Sequence, residues 1–417
     1  MRLPATLRAL QYRNFRLFFS GQLISLIGTW MQTVAQAWLV YRLTGSSVLL
    51  GAIGFASQIP VFLLSPIGGI VADRHNRHGV VIVTQTASMV LALILAALTL
   101  AGTVKIRYIF VLAAMLGMVN AFDIPARQSF IVEMVGKTDL MNAIALNSSM
   151  FNASRVLGPA IAGVVVARIG EGWCFFANGI SYIAVIIGLL CMRVTPRPPR
   201  TPQSALRHLI EGFQYAAGCF PVRALLGLLG VVSLTAMPYT VLMPIFADQV
   251  MHGGAKALGN LMGAAGIGSL CGALLLASRK TVQGFGRGVA AAALLFGAAV
   301  AVFGYSRTYW LSIGILVVAG FAIMVQMGAS NTLIQSMVPD HLRGRVMSIY
   351  SMMLMGMAPF GSMLAGWGAA RIGSPATVAA CGLTSMAAAG VFAVFLPRLR
   401  TEARRQIAKQ MAAAQGS

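Results

Sequence analysis

The chain alternates between long apolar runs and short charged interruptions, and this alternation predicts its elements. Uncharged intervals cover residues 17–41, 43–72, 78–104, 172–192, 224–247, 257–278, 288–306, 308–339, 346–370 and 372–397. Each is long enough for a helix to cross a bilayer, which takes about 20 residues. Two more spans fit only with one charge inside, namely Asp123 in the run 108–126 and Arg155 in the run 141–167. The pattern therefore predicts twelve membrane helices.

The composition agrees with a membrane protein and excludes an ordinary soluble one. Hydrophobic residues make up 58% of the chain, charged residues 10%, and the mean hydropathy is +0.80. A soluble domain carries roughly 25% charged residues because its surface faces water. The apolar runs are also much longer than the ~10-residue alternating segments of a transmembrane barrel. We therefore expect an all-α membrane protein.

The basic residues predict the orientation of the chain. Its net charge is +22, and with the N-terminus placed inside, 23 Lys and Arg residues fall on the inner side and 7 on the outer side. Such an excess marks the cytoplasmic face of a membrane protein, which explains the charge better than nucleic-acid binding does. We therefore predict cytoplasmic termini and a multi-pass protein of a bacterial inner membrane.

A proline-rich interruption divides the chain into two groups of six spans. The stretch from Arg193 to Pro202 contains four prolines in its last seven residues, which favours a stiff extended linker. The following residues, 203–218, have the spacing of an amphipathic helix on the membrane surface. The predicted parts of the chain are a first half, residues 1–192; a linker with an amphipathic helix, 193–222; a second half, 223–397; and a basic cytoplasmic tail, 398–417.

The two halves are repeats of each other. A shift of 203 positions aligns Gly117–Gly170 with Gly320–Gly373 without a gap, and 14 of the 54 positions are identical. Both segments end in Ala-Arg-Ile-Gly. A parallel repeat of two six-helix halves is the architecture of major facilitator transporters, whose substrate site lies near the midplane between the halves. We therefore expect two pseudo-symmetric six-helix halves.

Two motifs carry a resemblance to that superfamily. The loop Gly69-Ile-Val-Ala-Asp73-Arg74-His-Asn-Arg77 resembles its GxxxDRxGR signature. The stretch Arg155-Val-Leu-Gly158-Pro159-Ala-Ile-Ala-Gly163 resembles the motif of its drug:proton antiporter branch, and residues 122–163 resemble the branch's enterobactin-exporter and macrolide-efflux group. The chain departs from the pattern at Asn76, where the signature has glycine and where we expect a left-handed turn.

The resemblance implies a cytoplasmic gate that holds the outward-facing state closed. Asp123, near the cytoplasmic end of span 4, is the expected carboxylate partner of the loop arginines. The alternative is a topology anchor that pairs with lipid phosphate. The predicted gate residues are Gly69, Asp73, Arg74, Arg77 and Asp123.

Arg155 is the one charge that the intervals force to mid-membrane. Such an arginine costs about 2.5–3.5 kcal/mol to insert and usually faces a cavity or a partner. It either binds an anionic or oxygen-rich substrate or locks the bundle through carbonyl and amide groups, and the sequence leaves both open. Together with other polar residues inside spans, it defines the predicted substrate cavity, which comprises Gln32, Gln36, Asn120, Asn152, Arg155, Tyr239 and Gln326.

Proton coupling requires a carboxylate that changes charge inside the bundle. The intervals place six of the nine acids in loops, surface segments or tails, including Glu133, Asp139 and Glu171, and Asp73 in the gate loop. Asp123 and Asp248 remain as candidates, each near a span end. The branch's arginine signature in span 4 is missing, since no arginine lies between Arg107 and Arg127, so proton antiport here rests on the resemblance.

These observations predict a secondary transporter that exports an amphipathic small molecule, drug-like or siderophore, by alternating access. Two alternatives stay open: a lysophospholipid transporter of the same fold, and a non-transporting membrane receptor or assembly partner. The chain contains no phosphate-binding loop and no hydrolase or metalloprotease motif, so we expect neither an enzyme nor a cofactor or metal. The expected partners are the substrate, protons and the bilayer, without nucleic acid, for a monomeric protein.

Overall fold

The computed structural model describes residues 5–136, 138–194, 205–279 and 281–415. All regular elements of these residues are helices, and they form twelve spans that are long and apolar enough to cross a membrane. Ten spans are single helices, span 11 consists of two helices and span 7 of three. This confirms the predicted all-α fold with twelve spans. The proline-rich residues of the predicted linker, 195–204, lie outside the described residues. The cytoplasmic position of the termini stays a prediction.

The spans follow the apolar intervals but extend beyond several of them. Spans 1 to 6 are Arg13–Thr44, Ser47–Arg74, Arg77–Leu100, Ile106–Val135, Leu140–Ile169 and Glu171–Leu190. Spans 7 to 12 are Phe220–Val250, Gly254–Ser278, Phe285–Tyr305, Tyr309–Met337, Leu342–Ile372 and Ser374–Val394. A short 3₁₀ helix precedes span 1, a linker helix precedes span 7, and a C-terminal helix follows span 12; these are Ala5–Gln11, Ala205–Gly218 and Leu396–Gln415.

Span 7 is interrupted near its middle. It consists of Phe220–Thr235, a break before Tyr239–Ile245, and a final π-helical turn, Phe246–Val250. Pro238 lies in the break and cannot donate the backbone hydrogen bond that would continue the helix. Discontinuous helices and π turns often accompany binding sites in transporters and other proteins.

The chain forms two compact units. The first contains the described residues of Met1–Pro202 together with Pro244–Gly263, which are the end of span 7 and the start of span 8. The second contains those of Gln203–Met243 and Ala264–Ser417. Residues 244–263 thus belong to the first compact unit, although they follow the linker in the sequence.

Equivalent glycines of the repeat have equivalent surroundings. A methyl group on Gly158 of span 5 would overlap Trp30 of span 1, and one on Gly361 of span 11 would overlap the carbonyl of Leu234 in span 7. Gly170 and Gly373, which end the repeat, both have positive φ, 94° and 84°, a conformation that favours glycine. The shared sequence therefore encodes the same helix contacts and the same turn twice.

The linker helix packs against the start of span 11 within the second unit. Glu211 forms an ion pair with Arg345, whose backbone lies against Gly212. The Tyr215 hydroxyl donates to the carbonyl of Met337 at 3.2 Å, and burial raises the pKa of this phenol to about 12. The sequence predicted an amphipathic surface helix. One side of this helix is held by these contacts, while Phe213 on another side is exposed.

We predict that Gly158→Ala lowers the stability of the first unit. The added methyl group would overlap Trp30, and overpacking of this kind costs about 1–3 kcal/mol. Gly314→Ala is the matched control, because the space around this glycine of span 10 is open. The melting temperature in detergent should fall for the first variant and stay unchanged or rise slightly for the second. Equal melting temperatures would contradict the close contact of spans 1 and 5.

Candidate functional site

Arg77 joins the ends of spans 2, 3 and 4. Its guanidinium donates to Glu133 Oε1 at 2.6 Å, to Asp73 Oδ1 at 3.0 Å and to the carbonyl of Ala72 at 2.9 Å. The Arg77 side chain is 17% exposed and that of Glu133 11%, whereas that of Asp73 is 57% exposed. We call Asp73, Arg77 and Glu133 the loop network. Its least exposed pair is Arg77–Glu133, so that pair contributes most to holding the three spans together.

The partner of Arg77 differs from the expected one. The sequence pointed to Asp123, but the carboxylate is Glu133, ten residues further along span 4. The apolar interval ends at Ala126, whereas the helix continues to Val135 and carries Glu133 about 15 Å beyond Asp123. Glu133 is therefore a nearly buried helical residue and not the loop residue that the intervals predicted.

Asp123 belongs to a second buried polar cluster. Its carboxylate is 3.3 Å from the Arg127 guanidinium, one helical turn away, and accepts hydrogen bonds from Thr84 and Gln85 of span 3, both at 2.8 Å. Asp123 itself is 3% exposed. We call these four residues the Asp123 cluster. One cation and two further hydrogen-bond donors thus surround this buried carboxylate.

Other residues of the loop signature have simpler surroundings. Gly68 lies directly against the carbonyl of Ala121, whereas a methyl group on Gly69 would meet nothing within 4 Å. Of these two glycines only Gly68 packs closely against span 4. Asn76 has φ −62° and not the expected left-handed conformation; its side chain accepts from the backbone of His78 and caps span 3. Arg74 is exposed.

The N-terminal 3₁₀ helix covers the start of span 5. Asp139, which is 5% exposed and not the surface residue expected, accepts hydrogen bonds from the Tyr12 hydroxyl at 2.8 Å and from Gln11 at 3.2 Å. The bond to Asp139 raises the pKa of Tyr12, so the phenol stays a proton donor. The Ala9 amide donates to Asn142 at 2.8 Å. These bonds fix the chain before span 1 to the same end of the first unit as the loop network.

At the opposite end of the first unit, spans 5 and 8 approach to backbone contact. A methyl group on Gly259 would lie 2.7 Å from the Gly163 Cα and 2.5 Å from the carbonyl oxygen of Pro159. One on Gly163 would lie 3.1 Å from the carbonyl oxygen of Ala255. We call Pro159, Gly163, Ala255 and Gly259 the glycine seam. The antiporter-like residues of span 5 thus provide a flat surface for span 8.

Two polar contacts accompany the seam. The Tyr41 hydroxyl at the end of span 1 donates to Asp248 Oδ2 in the π turn of span 7 at 2.7 Å. Arg42 forms two hydrogen bonds to Glu171 of span 6, at 2.7 and 3.1 Å. Glu171 is 5% exposed and not a loop residue as expected. Neither Tyr41 nor Glu171 carried a sequence signal for these contacts, because each bridges distant segments.

Arg155 lies one helical turn before Gly158, on the side of span 5 that meets span 1. Its guanidinium carbon is 5.8 Å from the centre of the Trp30 ring, a cation–π distance. Trp30 also meets Phe151 edge to face, with ring centres 5.7 Å apart. Arg155 is half-buried and Phe151 exposed. This surface offers one cation and two aromatic rings, so it suits ligands that carry anionic and aromatic groups.

The other predicted cavity residues of the first unit have separate surroundings. Gln32 is buried and accepts from Asn178 of span 6 at 2.7 Å, and Asn152 donates to its own helix at the carbonyl of Ser148. Gln36 and Asn120 are half-buried. Gln32 thus bonds to span 6, and Asn152 bonds within span 5.

The remaining two predicted cavity residues belong to the second unit. Tyr239 is buried, edge to face with Phe296 and Phe303 at ring-centre distances of 6.2 Å. Gln326 is fully buried, and its amide atoms have no hydrogen-bond partner among the described residues. The described residues likewise contain no group of three His, Cys, Asp or Glu side chains that could hold a metal ion.

Comparison with known proteins extends this picture to the whole chain. The family model of the transmembrane secretion effectors matches residues 5–415. The chain belongs to this family. It is a transporter of the major facilitator superfamily and not an enzyme.

Three transporters resemble the chain over most of its length. The staphyloferrin A transporter of Staphylococcus aureus is 27% identical over 388 residues, which are 90% of this chain and 94% of the relative. The multidrug efflux pump Tap of Mycolicibacterium fortuitum is 27% identical, with 89% and 93% covered. The enterobactin exporter EntS of Escherichia coli is 24% identical, with 81% and 80% covered. The sequence resemblance to this efflux group is thereby confirmed.

Solved structures share the fold at low identity. A bacterial homologue of the lysosomal transporter Spinster has a TM-score of 0.68 at 16% identity, with 96% of this chain and 98% of that chain covered. A peptide transporter of the POT family has a TM-score of 0.75 at 12% identity, with 93% and 95% covered. These likenesses support the major facilitator fold.

We predict that Glu133→Gln destabilises the protein more than Asp73→Asn. Loss of a partner from a buried ion pair costs about 3–5 kcal/mol, whereas an exposed pair contributes about 0–1 kcal/mol. Glu402→Gln is the matched control, since Glu402 pairs with Arg398 across one exposed helical turn. Thermal unfolding in detergent measures all three. A larger loss for Asp73→Asn would contradict the central role of the Arg77–Glu133 pair.

Proposed function

We propose that this protein exports an amphipathic small molecule, a siderophore or a drug-like compound, by alternating access coupled to protons. It acts as a monomer in a bacterial inner membrane. The relatives named for staphyloferrin A, for enterobactin and for multidrug efflux support this substrate class. The export direction follows the same relatives.

The observation that carries the proposal is the Arg155–Trp30 pair. A half-buried guanidinium in the middle of span 5 is costly in a membrane unless it faces a cavity or a partner. Trp30 covers part of it, and the exposed Phe151 extends the aromatic surface. A ligand with carboxylate or phenolic oxygens can accept hydrogen bonds from the Arg155 guanidinium, and its apolar body can pack against the rings of Trp30 and Phe151. Arg155 therefore binds the substrate.

Alternating access would open and close the ends of the first unit by different contacts. The glycine seam and the Tyr41–Asp248 bond close the end that the charge distribution assigns to the outside. Release of the substrate there requires that span 8 leave span 5. The seam itself consists of backbone contacts, so its separation breaks no ion pair, whereas the Asp248 carboxylate loses its bond from Tyr41. The loop network acts as the gate at the cytoplasmic end.

Proton coupling would act through the Asp123 cluster. Protonation of Asp123 removes the charge that holds Arg127, and the new O–H needs an acceptor. Gln85 can supply one, because its carbonyl oxygen is buried without a hydrogen-bond partner among the described residues. A rotation of the Gln85 amide would turn this oxygen towards Asp123. Asp248, which accepts from Tyr41, is the second candidate carboxylate.

We predict that Arg155→Gln strongly weakens binding of anionic substrates and spares neutral ones. Loss of a charge-assisted hydrogen bond of about 1.5–3 kcal/mol corresponds to roughly 10- to 150-fold weaker binding. Arg155→Lys keeps the charge but loses the planar fork, so its affinity should fall less. The measurement is flux and ligand-induced thermal stabilisation in proteoliposomes with enterobactin, staphyloferrin A and a neutral macrolide.

The control for this experiment is Arg168→Gln, which removes an exposed cation from the far end of the same span. It should leave binding unchanged. Unaltered binding together with a lowered melting temperature for both Arg155 variants would assign Arg155 to bundle stability instead. Transport of lysophospholipid without a pH gradient, together with no transport of the three probes, would favour the lipid-transporting alternative. Absence of any flux would favour a receptor.

We further predict that Asp123→Asn uncouples transport from the pH gradient. An amide cannot gain or lose the proton, so a gradient should no longer drive accumulation, while exchange of substrate between the two sides should persist. Asp248→Asn tests the second candidate in the same vesicles. Gradient-driven transport that survives in the Asp123 variant and fails in the Asp248 variant would move the coupling site to the π turn of span 7.

A further inference from the structure

The ends of spans 1, 4 and 6 surround a shallow pocket that the transport mechanism does not use. It has a volume of about 350 Å³ and opens to the surface of the first unit. Its lining residues are Tyr12, Arg13, Asn14, Met134 and Arg193. The pocket thus combines two guanidinium groups, an amide and a phenol with one apolar side chain. We propose that it binds the headgroup of an acidic phospholipid from the adjoining leaflet.

The two arginines are available for an anion. Arg13 and Arg193 are both exposed, and no carboxylate within the described parts of the chain forms an ion pair with either. Arg13 belongs to span 1 and Arg193 follows span 6, and both line the pocket, so two like charges lie beside it. Like charges in proximity repel unless a counter-ion lies between them. A phosphate group supplies that counter-ion and accepts several guanidinium hydrogen bonds.

The pocket is held in shape before any ligand arrives. The Asn14 side chain forms two hydrogen bonds with the backbone of Arg193, donating to its carbonyl at 2.8 Å and accepting from its amide at 3.3 Å. The Tyr12 hydroxyl is fixed by Asp139 at 2.8 Å. Binding therefore requires ordering of the two arginine side chains and not of the backbone, which reduces the cost of association.

The apolar surface beside the pocket favours a lipid over a free anion. Span 6 exposes Ile183, Ile187 and Leu190 at helical spacing on one side, and Leu190 is 65% exposed. This apolar row ends with the helix at Leu190, and Arg193 follows three residues later. A ligand that satisfies both surfaces has acyl chains and an anionic head. The charge distribution places this end at the cytoplasmic leaflet, whose acidic lipids attract basic residues.

The proposal is tested on the intact protein in detergent by native mass spectrometry, with phosphatidylglycerol and phosphatidylcholine as probes. We expect preferential retention of phosphatidylglycerol by the wild type. Arg13→Gln and Arg193→Gln should each weaken its binding about fivefold, since a basic residue near an anionic surface contributes about that factor. Lysine at either position should retain most of the affinity, because the charge remains. Arg16→Gln, which removes an exposed cation of span 1 that does not line the pocket, should have no effect.

Several results would overturn the proposal. Equal retention of the two lipids by the wild type would remove the role of headgroup charge, and this comparison does not depend on any variant. An equal loss in Arg16→Gln would show attraction by net charge without a site. Displacement of phosphatidylglycerol by millimolar inorganic phosphate would identify a free-anion site instead of a lipid site.

Discussion

The cost of placing a charge in hydrocarbon determines how this molecule is organised. Charged residues are 10% of the chain, and those within the spans lie mainly near the span ends. Three of the charged residues within the spans are held by specific partners: Arg127 by Asp123, Glu133 by Arg77, and Asp248 by Tyr41. Because an unpaired charge in the bilayer costs several kcal/mol, each of these contacts constrains the helices that carry it.

The two ends of the first unit are closed by different physical interactions. The glycine seam depends on close approach of backbones, which neither pH nor salt changes. The loop network and the Asp123 cluster depend on ion pairs, whose strength follows protonation. The partners of Arg77, itself in span 3, come from spans 2 and 4, so the network joins three spans at one end of the first unit. Charged contacts accompany the seam as well, at Arg42–Glu171 and Tyr41–Asp248, so the two ends differ in the backbone contact that the seam adds.

The sequence predicts the spans well because their physics is local. A helix in lipid satisfies its own backbone, so apolar length alone locates the twelve spans. The close helix contact at Gly158 can also be predicted from the sequence, since the repeat places a second glycine at the equivalent position, Gly361. The Arg127 partner of Asp123 could have been found from its one-turn spacing. The Arg77–Glu133 and Tyr41–Asp248 contacts could not, because they join segments far apart in sequence, and span 4 continues beyond its apolar interval.

The repeat also shows where the halves differ in chemistry. The shift of 203 positions that aligns Gly158 with Gly361 places Gln326 at the position of Asp123 and Ser330 at that of Arg127. Gln326 and Ser330 are buried, and their side-chain polar atoms lack hydrogen-bond partners among the described residues. A neutral amide and a hydroxyl tolerate this burial at a few kcal/mol, whereas an unpaired carboxylate would not stay ionised.

The second half thus keeps polarity at this depth without an ionisable pair. A proton can change the charge at this position of the repeat only in the first half. A coupling mechanism at this depth must therefore be asymmetric, although the helices that carry it are duplicated.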